Sequence, residues 1–185
     1  VQQAEICFHG SFLATGKGHG TDRALVAGLL GLAVDDENIP NSFAIAAERK
    51  LTFSIHGIDL GDAHPNTVKM KLTGESGRTL EIVAASIGGG QIRICEIDGL
   101  TANFCGEYPT LIVHNLDQPG HVTEVTSMLA HKSVNIATMQ LYRDSRGGNA
   151  VMVIECDQEV PQEAIRWLEH LEGIEKVTYL SLEES

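Results

Sequence analysis

The turn from Asp117 to Gly120 brings together residue types that suit a bound ligand. It joins a strand pattern to a helical one, so free backbone N–H groups, the positive end of a helix dipole and a carboxylate meet at one place. A zwitterion fits there, with its ammonium group on Asp117 or Asn115, and Asn135 is expected across the same gap. The structural alternative is that Asp117 caps the helix and Gly120 permits close packing. We predict a regulatory ligand site rather than a catalytic one.

Side chains that could bind a metal or an anion are spread over two loops of the first half. His19 and Asp22 lie in one loop, and Asp62 and His64 lie in the other. They could form a metal site, but no H-x-x-x-H pair fixes two ligands on one element, and ordinary loop polarity is the alternative. The glycine spacing around His19 matches neither a P-loop nor a dinucleotide-binding fingerprint, which argues against a nucleotide ligand.

Other glycines follow histidines at two predicted strand ends, in His9-Gly10 and His56-Gly57. Glycine there permits close approach of the backbone to a ligand or a partner chain, and buried, hydrogen-bonded histidines are the alternative. The run Gly88-Gly89-Gly90 suits either an anion-binding nest of N–H groups or a tight bend.

Hydrophobic patterns in the first half predict a mixed α+β domain in which antiparallel strands predominate. Apolar spacing fits a strand from Ala4 to Phe12, and a run of glycines then ends it. Thr21 or Asp22 is expected to N-cap the helix that follows. Later patterns predict a short helix at 44–48, a strand at 51–58, a hairpin at 68–84 and a strand at 92–97.

The strand pattern stops between Gly99 and Pro109, where we place the domain boundary. Beyond it, patterns predict strands at 111–116, 134–141, 151–156 and 174–182, and helices that open at Pro119-Gly120 and at Pro161. This βαββαβ order is ferredoxin-like, with two helices on one face of a four-stranded antiparallel sheet. The predicted domains are residues 1–105 and 109–185.

Composition excludes several classes of function. The chain has 185 residues, with 13 Lys and Arg against 25 Asp and Glu, and its formal net charge of -12 disfavours nucleic acid and anionic membranes as partners. It contains no signal sequence, no C-x-x-C pair and no apolar run of the roughly 18 residues that span a bilayer, so we expect a reducing cytoplasm. No complete catalytic constellation is present.

Pro119-Gly120 after a strand pattern, with Ser133-Val134-Asn135-Ile136 opening the strand after the helix, resembles the ACT domain, a family that typically binds amino acids at domain interfaces. In serine-binding members, polar residues match Asn115 and Asn135, and an amide is usual where this chain has Asp117. A monovalent cation such as potassium is therefore an alternative effector to a small amino acid. The predicted ligand-binding residues are Asn115, Asp117, Gln118, Pro119, Gly120, Asn135 and Ile136.

Four motifs of the first half carry a second resemblance. They are His9-Gly10-Ser11-Phe12, Lys17-Gly18-His19-Gly20-Thr21-Asp22, His64-Pro65-Asn66-Thr67 and Ser86-Ile87-Gly88-Gly89-Gly90. In this order they resemble the beta subunit of iron-sulfur-dependent L-serine dehydratase, which joins a domain of the allosteric-substrate-binding type to an ACT domain. That family's upstream Ser-Ser-His-Thr stretch has no match here, so we expect the first domain to be truncated at its N-terminus.

The resemblance implies a subunit of a carbon–nitrogen lyase. A cysteine-rich alpha subunit would hold a [4Fe-4S] cluster, one iron of which acts as a Lewis acid on the serine hydroxyl, and the products would be pyruvate and ammonia. This chain, inactive alone, would help to close and regulate the active site, and its ACT domain would self-associate. Residues expected to contact the partner chain or a bound anion are His19, Asp22, His64 and Asn66.

Two other functions stay open. A similar pair of domains ends some phosphoglycerate dehydrogenases, so the chain could be the regulatory amino-acid-binding tail of such an enzyme, or an independent amino-acid-binding module. A dehydrogenase requires a nucleotide-binding fingerprint before Val1, whereas a dehydratase requires a cysteine-rich partner.

Overall fold

A computed structural model describes residues 1–181 of the chain. The end of the predicted last strand, at Leu182, and the end of the predicted domain 109–185 lie outside the described residues. The chain divides into two units, Val1–Gly99 and Leu100–Ser185. Each unit combines helices with a β-sheet, which confirms the α+β class. The domain limits at 105 and 109 stay predictions.

The first unit builds a mixed sheet with helices. Its elements are β1 (Gln3–Phe8), α1 (Gly10–Thr15), α2 (Thr21–Leu29), a 3-10 helix (Ile39–Asn41), α3 (Ser42–Glu48), β2 (Thr52–Gly57), β3 (Thr67–Thr73), β4 (Thr79–Gly88) and β5 (Gln91–Ile97). These strands take the order β2-β1-β3-β4-β5, in which β1 and β2 are parallel and the other neighbours antiparallel. Buried Ile6 and Phe8 of β1 pack with Val26 of α2 and Ala46 of α3, so one face of the sheet carries the core.

Two predictions about the start of the chain are wrong. The first strand ends at Phe8, and Phe12 lies in α1, from which its ring contacts that of Phe8 at a centroid distance of 6.0 Å. A six-residue helix is too short to show a helical period, so the spacing of the phenylalanines resembled that of a strand. The N-cap of α2 is Gly20, at φ 72°, and no side chain caps the helix.

The second unit has the predicted βαββαβ order. After β6 (Leu100–Phe104), its elements are β7 (Thr110–Leu116), α4 (His121–His131), β8 (Ile136–Arg143), β9 (Asn149–Cys156), α5 (Gln162–Leu168) and β10 (Ile174–Leu180). The sheet order β10-β7-β9-β8 is antiparallel throughout, which confirms the ferredoxin-like arrangement. Leu111 and Val113 of β7 pack with Leu129 of α4 and Leu168 of α5 in the core of this unit.

Strand β6 occupies the segment that we predicted to be a domain boundary. Ala102 and Phe104 are buried, and two contacts hold the segment in the second unit. Gln140 Nε2 donates to the carbonyl of Asn103 at 2.5 Å, and the buried Glu155 accepts the amide of Cys105 at 3.5 Å. The period-two alternation of Leu100, Ala102 and Phe104 was a usable signal. Its flank, Asp98-Gly99, has positive φ at both residues, as in a type I′ turn.

Within residues 1–181, no helix is long and apolar enough to cross a membrane.

Candidate functional site

Two of the sequence motifs of the first unit meet through their backbones. Gly10, just after β1, has φ +56°, and a Cβ placed on it would lie 2.6 Å from the carbonyl oxygen of Pro65. The amide of Ser11 donates to that same oxygen at 2.8 Å, and the amide of His9 donates to Thr67 O at 3.0 Å. Only glycine combines this left-handed conformation with so close an approach. We call the contact of residues 9–11 with residues 64–67 the junction.

His64 and Asn66 lie together at the junction. His64 is exposed, and its Nδ1 accepts the amide of Asn66 at 3.1 Å. The neutral ring therefore carries its proton on Nε2, a tautomer assigned from this hydrogen bond. The carbonyl of Asn66 accepts the amide of Ser86 at 2.9 Å, which attaches the start of a third motif to the junction. A ligand or partner chain at this surface meets a histidine whose orientation is already fixed.

His9 is a junction residue that we did not include among the predicted contacts. It is buried, and its Nδ1 accepts the amide of Leu60 at 3.1 Å, so it has the same tautomer as His64. Its pairing with Gly10 in the sequence was the available signal. The hydrogen bond from Leu60 attaches the loop that leads to His64 to the buried ring of His9. His9 therefore positions this loop without being exposed itself.

His19 and Asp22 make their recorded contacts inside their own segment. His19 is exposed, with its amide on Thr15 O at 3.2 Å, and the buried Asp22 accepts the amide of Arg23 at 2.8 Å. The segment is tied to the first motif through α1, where the amide of Gly16 donates to Phe12 O at 2.9 Å. Among residues 1–181, no three His, Cys, Asp or Glu side chains are grouped to hold a metal ion.

In the second unit, Asp117 joins the β7–α4 turn to the β8–β9 hairpin. Its Oδ2 accepts Arg143 Nη1 at 2.9 Å and the amide of Gly147 at 3.0 Å. These hydrogen bonds, first that from Gly147 and then that from Arg143, lower the pKa of the Asp117 carboxyl. The N-cap of α4 is Gly120, at φ 112°, and no side chain caps the helix. The structural alternative, in which Asp117 caps the helix, is therefore wrong.

Two buried polar atoms lie unpaired near that turn. Asn115 is 3% exposed and His121 is 7% exposed, and within residues 1–181 neither Asn115 Oδ1 nor His121 Nε2 has a hydrogen-bond partner. Both flank Gly173: Leu116, next to Asn115, donates to its carbonyl at 2.9 Å, and the His121 ring fills the place of its missing Cβ. Unpaired buried polar atoms cost about 1–3 kcal/mol each, so this place favours a bound polar group.

His121 is a residue that the helical pattern of α4 concealed. Helical spacing predicts that Val122 shares the apolar stripe of α4 with Val125 and Leu129, but Val122 is 40% exposed and His121 is buried with them instead. Its Nδ1 lies 3.1 Å from Glu124 Oε2. The sequence signal for a buried polar group was His121 in the first turn of α4, but the apolar Val122 beside it hid that signal.

Asn135 and Ile136 lie at the opposite end of the sheet from Asn115 and Asp117. Ile136 pairs with Cys156, where β9 ends, whereas Leu116 pairs with Asn149, where β9 begins. At about 3.3 Å per residue, the two ends are roughly 20 Å apart. Asn135 Nδ2 donates to Asp157 Oδ2 at 2.6 Å. Within one chain, Asn135 does not reach a ligand on the β7–α4 turn.

Comparison with known proteins identifies the family. A sequence model of the serine dehydratase beta chain matches residues 1–96, a segment that contains the whole junction. The chain belongs to the serine dehydratase beta chain family. The probable L-serine dehydratase beta chain of Bacillus subtilis is 36% identical over 176 residues, which cover 95% of this chain and 80% of that protein.

Two other relatives differ in how much of their own length this member of the serine dehydratase beta chain family matches. The L-serine dehydratase beta chain of Peptoniphilus asaccharolyticus is 36% identical over 161 residues, or 86% of this chain and 72% of that protein. The D-3-phosphoglycerate dehydrogenase of Methanocaldococcus jannaschii is 28% identical over 98% of this chain, but the match covers only 34% of that enzyme. The dehydrogenase likeness is therefore the more distant one and is confined to a part of that protein.

The junction predicts a difference between two glycine-to-alanine variants of this family member. Gly10→Ala places a Cβ against Pro65 in a left-handed conformation, whereas Gly20→Ala has a similar φ in open space. We expect Gly10→Ala to lower the free energy of unfolding by about 3 kcal/mol and Gly20→Ala by about 1 kcal/mol. Urea unfolding of both variants measures the difference. Equal losses would show that the approach of Gly10 to Pro65 does not constrain the fold.

Asp117 predicts how stability changes in acid. Because the folded chain holds the pKa of this carboxyl below its usual value of 3.8, the ionised group stabilises the fold above that value. The contribution is lost as the pH falls through the folded pKa. Asp117→Asn should therefore unfold at lower urea concentration than the native chain at pH 7, and the two midpoints should converge below about pH 4.

The control for this experiment is Asp35→Asn, which removes an exposed carboxylate of the first unit. Its urea midpoint at neutral pH should stay near that of the native chain. Native and Asp117→Asn midpoints that differ equally at neutral and acid pH would contradict the role of the ionised carboxylate.

Proposed function

We propose that the chain works as the beta chain of an iron–sulfur L-serine dehydratase, which converts L-serine to pyruvate and ammonia. Family membership carries this proposal, because the matched residues include the junction and the relatives named as L-serine dehydratase beta chains align with most of this chain. The first unit would be the domain of the allosteric-substrate-binding type and the second the ACT domain. The complex would be located in the cytoplasm.

The residues of this chain do not fit the [4Fe-4S] cluster that the reaction requires. The four cysteines are distributed over both units, and within residues 1–181 none belongs to a metal-binding group. Burial raises the pKa of the Cys7 and Cys95 thiols, and that of Cys156 to about 11, whereas cluster ligands are thiolates. We therefore assign the cluster to a cysteine-rich alpha chain.

The junction is the part of this chain that we assign to the alpha chain or to a bound anion. His64 offers an Nε2 proton from an exposed ring, and Asn66 lies two residues away on the same loop. Hydrogen bonds fix the orientation of the His64 ring and of the Asn66 backbone, so this loop can meet a partner surface without first being ordered. His19, in the turn before α2, and Asp22, in the first turn of α2, are included in this proposal only because they belong to one of the four motifs.

The β7–α4 turn is proposed as the regulatory site. The helix end offers free N–H groups, and the unpaired Asn115 Oδ1 and His121 Nε2 lie beneath it. Gln118, Pro119 and Gly120 form its exposed rim. Because Asp117 Oδ2 already accepts two hydrogen bonds from its own chain, an effector would have to share or displace them. A small amino acid and a monovalent cation such as potassium are the candidate effectors.

Asn135 and Ile136 enter this regulatory site only through self-association. They lie at the far end of the sheet from Asn115 in one chain. A second copy related by a twofold axis perpendicular to the sheet would bring the Asn135 end of one domain beside the Asn115 end of the other. Pairing of two second units is therefore part of the proposal.

The second candidate function is the regulatory tail of a phosphoglycerate dehydrogenase-like enzyme. The likeness to the Methanocaldococcus jannaschii enzyme extends over nearly the whole chain, which favours it as a shared regulatory arrangement. Its lower identity and partial coverage make it the weaker assignment. An independent amino-acid-binding module lacks a specific observation in its favour.

The proposed function predicts the effect of His64→Ala. Loss of an exposed, oriented imidazole should lower serine-dependent ammonia release by the anaerobically reconstituted alpha–beta pair by roughly tenfold or more. The urea unfolding curve of the chain should barely change, because the ring is exposed. His56→Ala is the matched control, since it removes an exposed histidine of β2 from the same unit. Native turnover by the His64 variant would remove it from the site.

The regulatory site predicts a measurable ligand. Calorimetric titration of the chain with L-serine and, separately, with potassium chloride against sodium chloride should give saturable heat for one of the two. Asn115→Ala should abolish that heat, because it removes the unpaired buried acceptor. Heat that persists in this variant would place the ligand elsewhere, and no heat from either titrant would leave the turn with a structural role.

A further inference from the structure

A groove between α4 and α5 opens on the helical face of the second unit. Its volume is about 630 Å³, which falls within the range of small-molecule sites. Its floor is apolar, since Met128 is 8% exposed and Ala164 is 1% exposed. Trp167 forms one wall and stays 46% exposed. The chain contains a single tryptophan, and its large apolar surface remains in contact with solvent beside this groove.

An ion pair forms part of the lining of the groove. Lys132 Nζ, at the end of α4, donates to Glu163 Oε1, in the first turn of α5. Both side chains line the groove and both remain partly exposed. The hydrogen bond from Lys132 holds the pKa of the Glu163 carboxyl below its usual range, so the two opposite charges stand side by side at neutral pH.

Distances along the helices set the size of an occupant. Trp167 follows Glu163 by four residues, and Lys132 follows Met128 by four, so each pair lies one helical turn apart. Four residues rise about 6 Å along a helix, a distance that a large apolar side chain can bridge in part by van der Waals contact. An occupant held at the ion pair therefore reaches Met128 and Trp167 with an apolar group of that length.

We propose that the groove binds a free α-amino acid with a large apolar side chain, its carboxylate on Lys132, its ammonium group on Glu163 and its side chain against Met128 and Trp167. An α-amino acid carries an ammonium group and a carboxylate on the same carbon atom, and these two charges complement Glu163 and Lys132. Because Lys132 and Glu163 pair with each other, the occupant replaces that contact, and neither of its charges alone would satisfy both side chains. The other residues of the lining are Thr123, Glu124, Ser127 and His131.

The ion pair of this groove lies away from the β7–α4 turn, although Glu124 of the lining contacts His121 beside that turn. The turn lies at the N-terminal end of α4 and the ion pair at its C-terminal end, eleven residues or about 16 Å away. The inference does not rest on the proposed function, so a chain without dehydratase activity can still bind here. Serine, whose side chain is short and polar, should not occupy the groove.

The tryptophan provides the readout, because no other indole contributes to the fluorescence of the full chain. L-leucine should shift the Trp167 emission until it saturates, with half-saturation at about 1 mM. We expect at least roughly tenfold weaker binding for 4-methylpentanoate, which lacks the ammonium group, and for 3-methylbutylamine, which lacks the carboxylate. L-serine should leave the emission unchanged, and calorimetry with L-leucine supplies an independent readout.

Two variants complete the test. Lys132→Gln should weaken L-leucine binding by roughly fivefold or more, as expected for loss of a partly exposed charge contact. Arg166→Gln, which removes an equal charge from α5 outside the groove, should leave it unchanged. Equal effects of the two variants, equal binding of the three leucine-shaped compounds, or neither heat nor an emission shift with L-leucine up to about 10 mM would overturn the proposal.

Discussion

The fold of the first unit depends on the backbone contact between Gly10 and Pro65. A side chain at position 10 would overlap the Pro65 carbonyl, and the left-handed φ of Gly10 turns the chain from β1 into α1 at that point. The same carbonyl accepts the amide of Ser11. One proline oxygen thus ends a strand, starts a helix and holds the loop of His64 and Asn66. Main-chain contacts position the loop of His64 and Asn66, so little conformational entropy is lost when this loop meets a partner.

The polar residues near the β7–α4 turn are of two kinds, those whose hydrogen bonds are made within the chain and those that keep an unpaired buried atom. Asp117 Oδ2 accepts hydrogen bonds from Arg143 and Gly147 of the same chain, and these bonds link the β7–α4 turn to the β8–β9 hairpin. Asn115 and His121 are more deeply buried, and each retains an unpaired atom in the described structure. Residue type alone ranked Asp117 first as a ligand contact. Burial and hydrogen-bond satisfaction instead put Asn115 and His121 ahead of it.

Long, periodic segments were predictable from sequence, and short or three-dimensional features were not. The strands from Thr110–Leu116 onward and the helix His121–His131 follow from their apolar periods and turn residues. Helix α1 has only six residues, so its pattern is too short to distinguish helix from strand. The order of the motifs indicated which loops are functional candidates. The contact between two of them, through Gly10 and Pro65, is visible only in the structure. The separation of Asn135 from Asn115 follows from strand direction, which a list of polar residues does not encode.

The opposite placement of Asn115 and Asn135 also determines how an effector that requires both would behave in solution. In the proposed twofold pair, two copies would form two such composite sites, so each dimer would take up two ligand molecules and an isolated chain none. Occupancy would then depend on protein concentration as well as on ligand concentration, because dilution separates the halves of each site. Ligand uptake and dimer formation would become one equilibrium, and the amount of this chain in the cell would set the threshold at which regulation begins.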